Sequence, residues 1–375
     1  MQKSFTEFEV LADRHDLIAF ARDALQDAGA AHQAATVTAE VLVEADTAGV
    51  ESHGVSRLKR YLSGLSTGRI DGRARCRVVV DAGSLLVVDG NNGLGPAVFQ
   101  QATDLAIDKA IASDLSITFV RNSNHMGMTG WFTRRAAFQG LFSIACTNGV
   151  PLVAPSNGKN AMFGTNPISF SLSTRSDHVT FDGATGVVSR GKLEQLARSG
   201  GTMLDDWVID TSGTPVTNLE EAIAGLEGGR GCAIHPIGGS TAERGGHKGY
   251  GLSLLVELLC GPLAGGPWSL HTHLPDRPAQ VGQFMMCLKP DAVGDRAVID
   301  TAVESMLREI REARSATPSN PVRVPGDRRR QTSSFRSANG VPLGAQTAQI
   351  LMDISRETGI PFKFSTLEKG NRNEI

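Results

Sequence analysis

One eight-residue segment limits the fold more than any other. Asp89-Gly90-Asn91-Asn92-Gly93-Leu94-Gly95-Pro96 separates two short apolar runs, Val78-Val79-Val80 and Leu85-Leu86-Val87-Val88, from a helical stretch over about Ala97 to Ser113. A strand, a glycine cluster and a helix in that order open a dinucleotide-binding βαβ unit. The spacing here is G-x-x-G-x-G, not G-x-G-x-x-G, so the fingerprint for a pyrophosphate on the helix N-terminus is missing. Pro96 suits the first turn of a helix and Asn-Gly a tight turn. The segment reads as a structural loop in an α/β protein that lacks the Rossmann cofactor site.

The rest of the chain supports that class. Two amphipathic helices are predicted over about Thr6–Ala28 and His32–Ala48, stopped by Gly29 and Gly49. A third runs through Arg57-Leu58-Lys59-Arg60-Tyr61-Leu62. Buried strands at Ile117–Val120, Phe142–Cys146, Ile168–Leu172 and Val179–Phe181 each end in polar residues, where α/β proteins place ligands. Lys248–Leu263 is helical, Ser315–Asn339 reads as an extended loop rich in Pro, Ser and Arg, and a last helix covers about Thr347–Glu357. A chain of 375 residues exceeds one core and suggests two lobes.

Composition excludes several function classes. Net charge is −2, and the Arg328-Arg329-Arg330 triplet is a solvated cluster, so nucleic acid is not an expected partner. The most apolar stretch, Leu252–Leu259, is interrupted by Ser253 and Glu257 and is too short for a bilayer, so no membrane is expected either. Five scattered cysteines without a C-x-x-C pair, and an N-terminus without an apolar leader, point to the cytoplasm. No metal is expected, and His271-Thr272-His273 is read as surface histidines. No serine sits in a G-x-S-x-G elbow.

The residues that carry chemistry are dispersed. In Ser52-His53-Gly54-Val55-Ser56-Arg57, an imidazole can exchange a proton near neutral pH, and a guanidinium four residues on can hold a carboxylate through two hydrogen bonds. On a helix the two would lie about 6 Å apart on one face. That pair suits reduction of a 2-oxo acid or its imine; alternatively His53 caps a helix and Arg57 meets a surface carboxylate. His125 closes the polar run Asn122-Ser123-Asn124 at a strand end. Gly164-Thr165-Asn166-Pro167 is a polar turn able to orient a carboxamide or a phosphate. Asp182 either orients a histidine, accepts from a ribose, or caps a following helix. Gly245-Gly246-His247-Lys248-Gly249-Tyr250-Gly251 opens a helix whose N–H groups, with Lys248, suit an anion. Arg190 and Lys192 follow Asp182 closely enough in the sequence to be candidates for a cofactor 2′-phosphate, which would call for such a group.

Six ordered motifs resemble those of the type-2 malate/L-lactate dehydrogenase family. They are Asp46-x-x-Gly49-x-x-Ser52-His53-Gly54-x-x-Arg57, Asn122–His125, Phe163–Pro167, Phe181-Asp182-x-Ala184-Thr185, His247–Leu252 and Pro325-Gly326-Asp327, spread over about Phe8 to Ile360. The resemblance implies a non-Rossmann α/β fold with the cofactor domain in mid-chain (121–295) and the N-terminal helices (1–120) and C-terminal segment (296–375) in the other lobe. It implies NAD or NADP as cofactor, a small carboxylate substrate and a homodimer. It matches His53 to the acid–base histidine, beside Ser52, Arg57 to the substrate-carboxylate group, and His125 to a second active-site histidine, with Asp182 also in the catalytic set. Thr165, Asn166, Asp182, Gly183, Ala184, His247, Lys248, Pro325, Gly326 and Asp327 fall in its cofactor-contacting segments. Gly186 stands where the family often has Ser, and Asp327 where Glu is frequent. The expected reaction is hydride transfer between nicotinamide and C2 of a 2-oxo or 2-hydroxy acid. Reduction of piperideine- or pyrroline-2-carboxylate is the runner-up, and a non-catalytic dinucleotide-binding protein the reading from another class.

Overall fold

The computed structural model describes residues 8–366 apart from 199, 228–230, 276 and 318. The chain opens with strand β1 (Phe8–Ala12) and helices α1 (Arg14–Asp27) and α2 (His32–Thr47). The predicted first helix therefore starts too early: Thr6 lies outside the described residues, and Phe8–Ala12 is extended. Asp13 is the reason, because its carboxylate accepts from His15 N at 2.7 Å and Asp16 N at 3.1 Å and so fixes the helix start. Two one-turn 3-10 segments, Glu51–His53 and Val55–Arg57, lead into α3 (Leu58–Ser66).

The strands β2 (Arg77–Ala82) and β3 (Leu85–Asp89) follow, then α4 (Gly95–Ser113), β4 (Leu115–Ser123), α5 (Thr129–Phe138), β5 (Phe142–Thr147), β6 (Ile168–Ser173) and β7 (His178–Gly183). A smaller unit comprises α6 (Arg190–Arg198), β8 (Val208–Asp210), α7 (Leu219–Gly225) and β9 (Cys232–Ile234). The chain then runs through α8 (Gly246–Cys260), β10 (Val281–Leu288), α9 (Arg296–Glu312), α10 (Asp327–Asn339), β11 (Val341–Gly344), α11 (Ala345–Thr358) and β12 (Ser365–Thr366).

The main sheet has the order β2-β3-β4-β10-β5-β6-β7, parallel only between β3 and β4. In β10 the side chains alternate, as a strand requires. Met285 and Cys287 pack under α4 and α5, while Phe284 and Met286 meet Val256 and Cys260 of α8 on the other face. A second sheet, β11-β1-β12, is covered by α1, α2, α3 and α11 around Leu17, Phe20, Leu42, Tyr61 and Leu351. The strands β2 and β3 belong to the main sheet, and α4 packs against it.

The expected loop over Ser315–Asn339 is corrected from Asp327 onward, where α10 forms. Its sequence, DRRRQTSSFRSAN, has no apolar stripe to read. Ion pairs hold it instead. Arg311 of α9 binds Asp177 and Asp327, and Arg330 donates to Asp327 at 2.8 Å and Asp177 at 3.1 Å. Burial pushes the Asp177 carboxyl up, but the hydrogen bonds from Arg311 and Arg330 outweigh it and hold it at about 2.

Candidate active site

A cleft of about 1010 Å³ opens between the 3-10 turns, β5, α6 and the loop before β10. His53, Arg57, His125 and Thr165 line it, as do Arg60, Arg69, Glu194 and His273. The turn that carries His53 and Arg57 is not α-helical, because the buried Asp46 of α2 intervenes. Its Oδ2 accepts from Val55 N at 2.6 Å, and a Cβ on Gly54 would stand 1.9 Å from Oδ1. Only glycine lets the carboxyl approach, and the chain breaks into two tight turns around it. Burial raises the Asp46 carboxyl to about 8, against the opposing pull of the Val55 N–H. Arg336 of α10 donates to the Asp46 carbonyl at 2.6 Å and so fixes the same corner.

The rings of His53 and His125 stack at 5.7 Å between centroids, 16° from parallel. Ser52 Oγ lies 3.0 Å from His53 Nδ1, and Tyr61 Oη lies 2.8 Å from His125 Nδ1. Each imidazole thus has one nitrogen engaged, which fixes its tilt. Burial first, then the Arg57 charge, lowers His53 to about 4, while Asp182 pulls the other way. His125 is held well below its usual value by burial and by Arg60, and His273 falls to about 3 by burial with Arg60 and Arg69. At neutral pH the cleft therefore contains neutral imidazoles among charged guanidinium groups.

Arg57 is held on three sides. Its Nε donates to Ser52 O at 2.8 Å, its Nη2 meets Glu194 Oε2 at 3.1 Å, and Gly191 closes over it, since a Cβ there would stand 2.6 Å from Nη2. Arg57 thus lines the cleft and pairs there with a carboxylate of the protein itself. Asp182 does cap a helix, though not the following one. Its Oδ2 accepts from Gly130 N of α5 at 2.9 Å and pairs with Arg329 at 3.3 Å.

The other predicted residues are distributed more widely. The Asn166 amide is buried and donates to Glu257 at 2.8 Å and to Ser253 O at 3.1 Å, so it braces α8. Its Oδ1 is buried without a hydrogen-bond partner among the described residues. Gly183 and Ala184 end β7 half-buried. His247 and Lys248 are exposed on the first turn of α8 and do not line the cleft. Pro325 is exposed, while Asp327 is buried in the arginine cluster. Gly326 lines a second cavity of about 470 Å³ with Met128, Gly130, His178, Arg329 and Arg330. Gly127 lines the cleft, so residues 127–130 border both spaces. Arg190 pairs with Glu194 at 3.0 Å in the cleft, and Lys192 donates to Gln195 at 3.2 Å.

Sequence reasoning missed Arg60, Tyr61, Glu194 and His273. Arg60 and Tyr61 stand three and four places after Arg57, so helical spacing would have found them. His271 is exposed as expected, but His273 is a cleft residue and not a surface one. Its neighbours come from α3, more than 200 positions away. Among the described residues no group of three or more His, Cys, Asp or Glu side chains could hold a metal ion.

Stacked imidazoles and an arginine thus share one cleft, with a second cavity beyond residues 127–130. Comparison with known proteins gives the family. Residues 12–352 match the model for malate/L-lactate dehydrogenase, and the chain belongs to that family. A malate dehydrogenase of Pyrococcus abyssi is 34% identical over 348 residues, 92% of this chain and 94% of that one. A delta(1)-pyrroline-2-carboxylate/delta(1)-piperideine-2-carboxylate reductase of Pseudomonas syringae pv. tomato is 30% identical, covering 87% and 91%. Among solved structures, malate dehydrogenase of Entamoeba histolytica superposes with a TM-score of 0.90 at 26% identity, covering 94% of this chain and 99% of that one. That of Pyrococcus horikoshii OT3 gives 0.85 at 33%, covering 95% and 97%. The protein is an oxidoreductase, an NAD(P)-dependent 2-hydroxyacid dehydrogenase.

Proposed function

We propose that the chain interconverts a 2-hydroxy acid and its 2-oxo acid in the cleft, with His53 exchanging the C2-oxygen proton and Arg57 holding the carboxylate. The observation that carries this is the stacked His53–His125 pair facing the same cleft as Arg57. A neutral His53 is ready to accept the hydroxyl proton in the oxidative direction. In the reductive direction His53 takes up a proton from solvent, which the anionic substrate favours by offsetting the charge of Arg57. Tyr61 fixes His125, and Ser52 fixes the far nitrogen of His53.

The two neighbouring cavities suit a nicotinamide dinucleotide, because their lining offers arginine, serine and backbone donors on either side of residues 127–130. Thr165 at the cleft, Gly183 and Ala184 at the end of β7, and Gly326 with Arg329 in the second cavity would hold it. Ser253 Oγ donates to Thr185 Oγ1 at 2.8 Å, which keeps the opening turn of α8, with His247 and Lys248, near that strand end. Asn166 and the buried Asp327 act behind these residues, bracing α8 and α10. When bound, the nicotinamide supplies or accepts the hydride. The middle segment, 121–295, carries most of this lining, and 1–120 and 296–375 the remainder.

A second copy of the chain is the proposed partner. Leu252, Leu254, Leu255 and Leu258 of α8 are 40–47% exposed, an apolar face that a homodimer would bury. The five unpaired cysteines support a reducing compartment, the cytoplasm. No helix among the described residues is long and apolar enough to cross a membrane.

The test is loss of reduced-nicotinamide absorbance, with NADH and NADPH in parallel, across 2-oxo acids and cyclic imino acids. Turnover of open-chain acids supports the proposal. Turnover of the cyclic imines alone replaces it with imine reduction by the same groups, and silence with retained cofactor binding leaves a non-catalytic binding protein.

A further inference from the structure

Helix α8 buries an acidic residue that the reaction above does not use. Its buried face includes Gly249, Ser253, Val256, Glu257 and Cys260, and Glu257 is 2% exposed. An acidic side chain at that depth needs donors around it. Glu257 Oε1 accepts from Asn166 Nδ2 at 2.8 Å and from Gly164 N at 3.4 Å, and Oε2 accepts from Ser269 N at 2.9 Å. All three partners are N–H groups.

Each oxygen leads to a different stretch of the cleft wall. Through Oε1, Glu257 holds the turn Gly164–Pro167, of which Thr165 and Pro167 line the cleft. The end of β7 grips the same turn, because Thr185 N donates to Thr165 O at 2.9 Å and Thr185 Oγ1 to Asn166 O at 3.1 Å. Through Oε2, Glu257 holds Ser269, whose Oγ accepts from Gly149 N at 3.3 Å. Thr272 Oγ1 donates to Gly149 O and to Ser269 O, both at 2.9 Å, and lies 3.1 Å from His273 Nδ1. Gly149, Thr272 and His273 line the cleft, whereas Glu257 does not. Asn166, Ser269 and Thr272 are buried as well, so one polar network backs the wall, with Glu257 at its centre.

We propose that Glu257 is a positioning residue that sets the spacing between the Gly164–Pro167 turn and the Ser269–His273 segment, and with it the seat of the nicotinamide ring. This rests on the nicotinamide-dependent reading above. The ring belongs in this cleft, where His53 and His125 exchange the proton, and no member of the network lines the second cavity. A displaced wall therefore slows hydride transfer more than it weakens binding of the acid, since about 1 Å of misplacement can lower a rate about 10²-fold.

Glu257→Gln keeps the shape but turns one acceptor into a donor that faces an N–H group. With the acid of the panel that the native enzyme reduces fastest, kcat at saturating cofactor should fall about 10- to 100-fold, and KM for the acid should stay within about 3-fold. Calorimetry then compares NADH with ADP-ribose, and NADPH with 2′-phospho-ADP-ribose, the second of each pair lacking the nicotinamide. The native preference for the whole cofactor should shrink about 10-fold in the variant, while affinity for the truncated ligand stays within about 2-fold. Thr272→Val removes one hydroxyl at the far end of the network and should move both readouts the same way by about 3-fold. It decides the question if Glu257→Gln does not fold. An unchanged preference, an equal loss for whole and truncated ligands, or a rise in KM without a fall in kcat overturns the positioning role. If no acid turns over, the 2-hydroxyacid reading fails and the binding comparison alone decides. A native enzyme that binds no whole cofactor more tightly than its truncated form has no nicotinamide seat, which overturns the inference too.

Discussion

Glu194→Gln should make the enzyme bind its acid substrate more tightly. Glu194 Oε2 lies 3.1 Å from Arg57 Nη2, and both side chains are 21% exposed. At that distance and an effective dielectric of about 20, the bare attraction is about 5 kcal/mol. Desolvation and side-chain ordering reduce the net value of such a half-buried pair to about 1–2 kcal/mol. A substrate carboxylate on Arg57 must share the guanidinium with Glu194 and sit near its negative charge. The amide keeps the shape and can still accept from Arg57, while Ser52 O and Gly191 hold the guanidinium in place. The variant also leaves Arg190 with less compensation, which pulls in the same direction. KM for the acid should fall about 5- to 30-fold, and the gain should shrink as salt rises. Steady-state kinetics at two ionic strengths, with calorimetry of succinate as a direct check, would show it. An unchanged or higher KM refutes the argument and makes Glu194 an aligner of Arg57 instead of its competitor.

Other expectations follow from the same geometry. His53→Asn should lower turnover by about 10²–10⁴ while cofactor affinity, measured by fluorescence titration, changes little; near-native turnover would move the proton to His125. Tyr61→Phe strips the partner from His125 Nδ1 and should cost about 1–3 kcal/mol in a urea melt, with no loss expected if the ring nitrogen is solvated. His53 and His273 are lowered in the fold, so the unfolded chain binds more protons between pH 6.5 and about 4. Their stabilisation is complete above 6.5 and is lost on acidification, at about 1.4 kcal/mol per pH unit for each. Asp46, raised to about 8, has the opposite sign and gains as pH falls from 8 toward 3.8. Asp46→Asn should therefore steepen the acid limb of a pH-dependent melting curve, and an unchanged slope would exclude a buried neutral Asp46.

Local pattern carried much of the fold into view. The apolar runs of β3–β7 and the long stripes of α2 and α4 are readable because each buries a face at its own period. The strand β10 was not found, although it occupies the middle of the main sheet. Its identity comes from pairing with β4 and β5, more than 130 residues away, and VGQFMMCL carries no alternation to mark it. Helix α10 escaped notice for a related reason: Arg311, Asp177 and Asp182, all distant in sequence, hold it in place of an apolar stripe. At the site, Ser52, His53 and Arg57 were legible because proton exchange and carboxylate binding need those side chains in a short stretch. Arg60 and His273 became meaningful only once α3 and the loop before β10 met.

The corner that bears His53 depends on residues made last. Asp46 and Glu51 are gripped by Arg336 of α10, and β1 pairs with β11 along Phe8–Ala12. During synthesis the N-terminal helices emerge early, but Glu194 and Gln195 reach their reactive turn only some 140 residues later, and Arg336 only 290 residues after Asp46. A ribosome-bound chain therefore carries the chemical groups of the enzyme without their arrangement. Truncation before α10 should leave a main sheet with all its strands and a corner without Arg336, so integrity of the C-terminal segment acts as a built-in proofreading of the finished product.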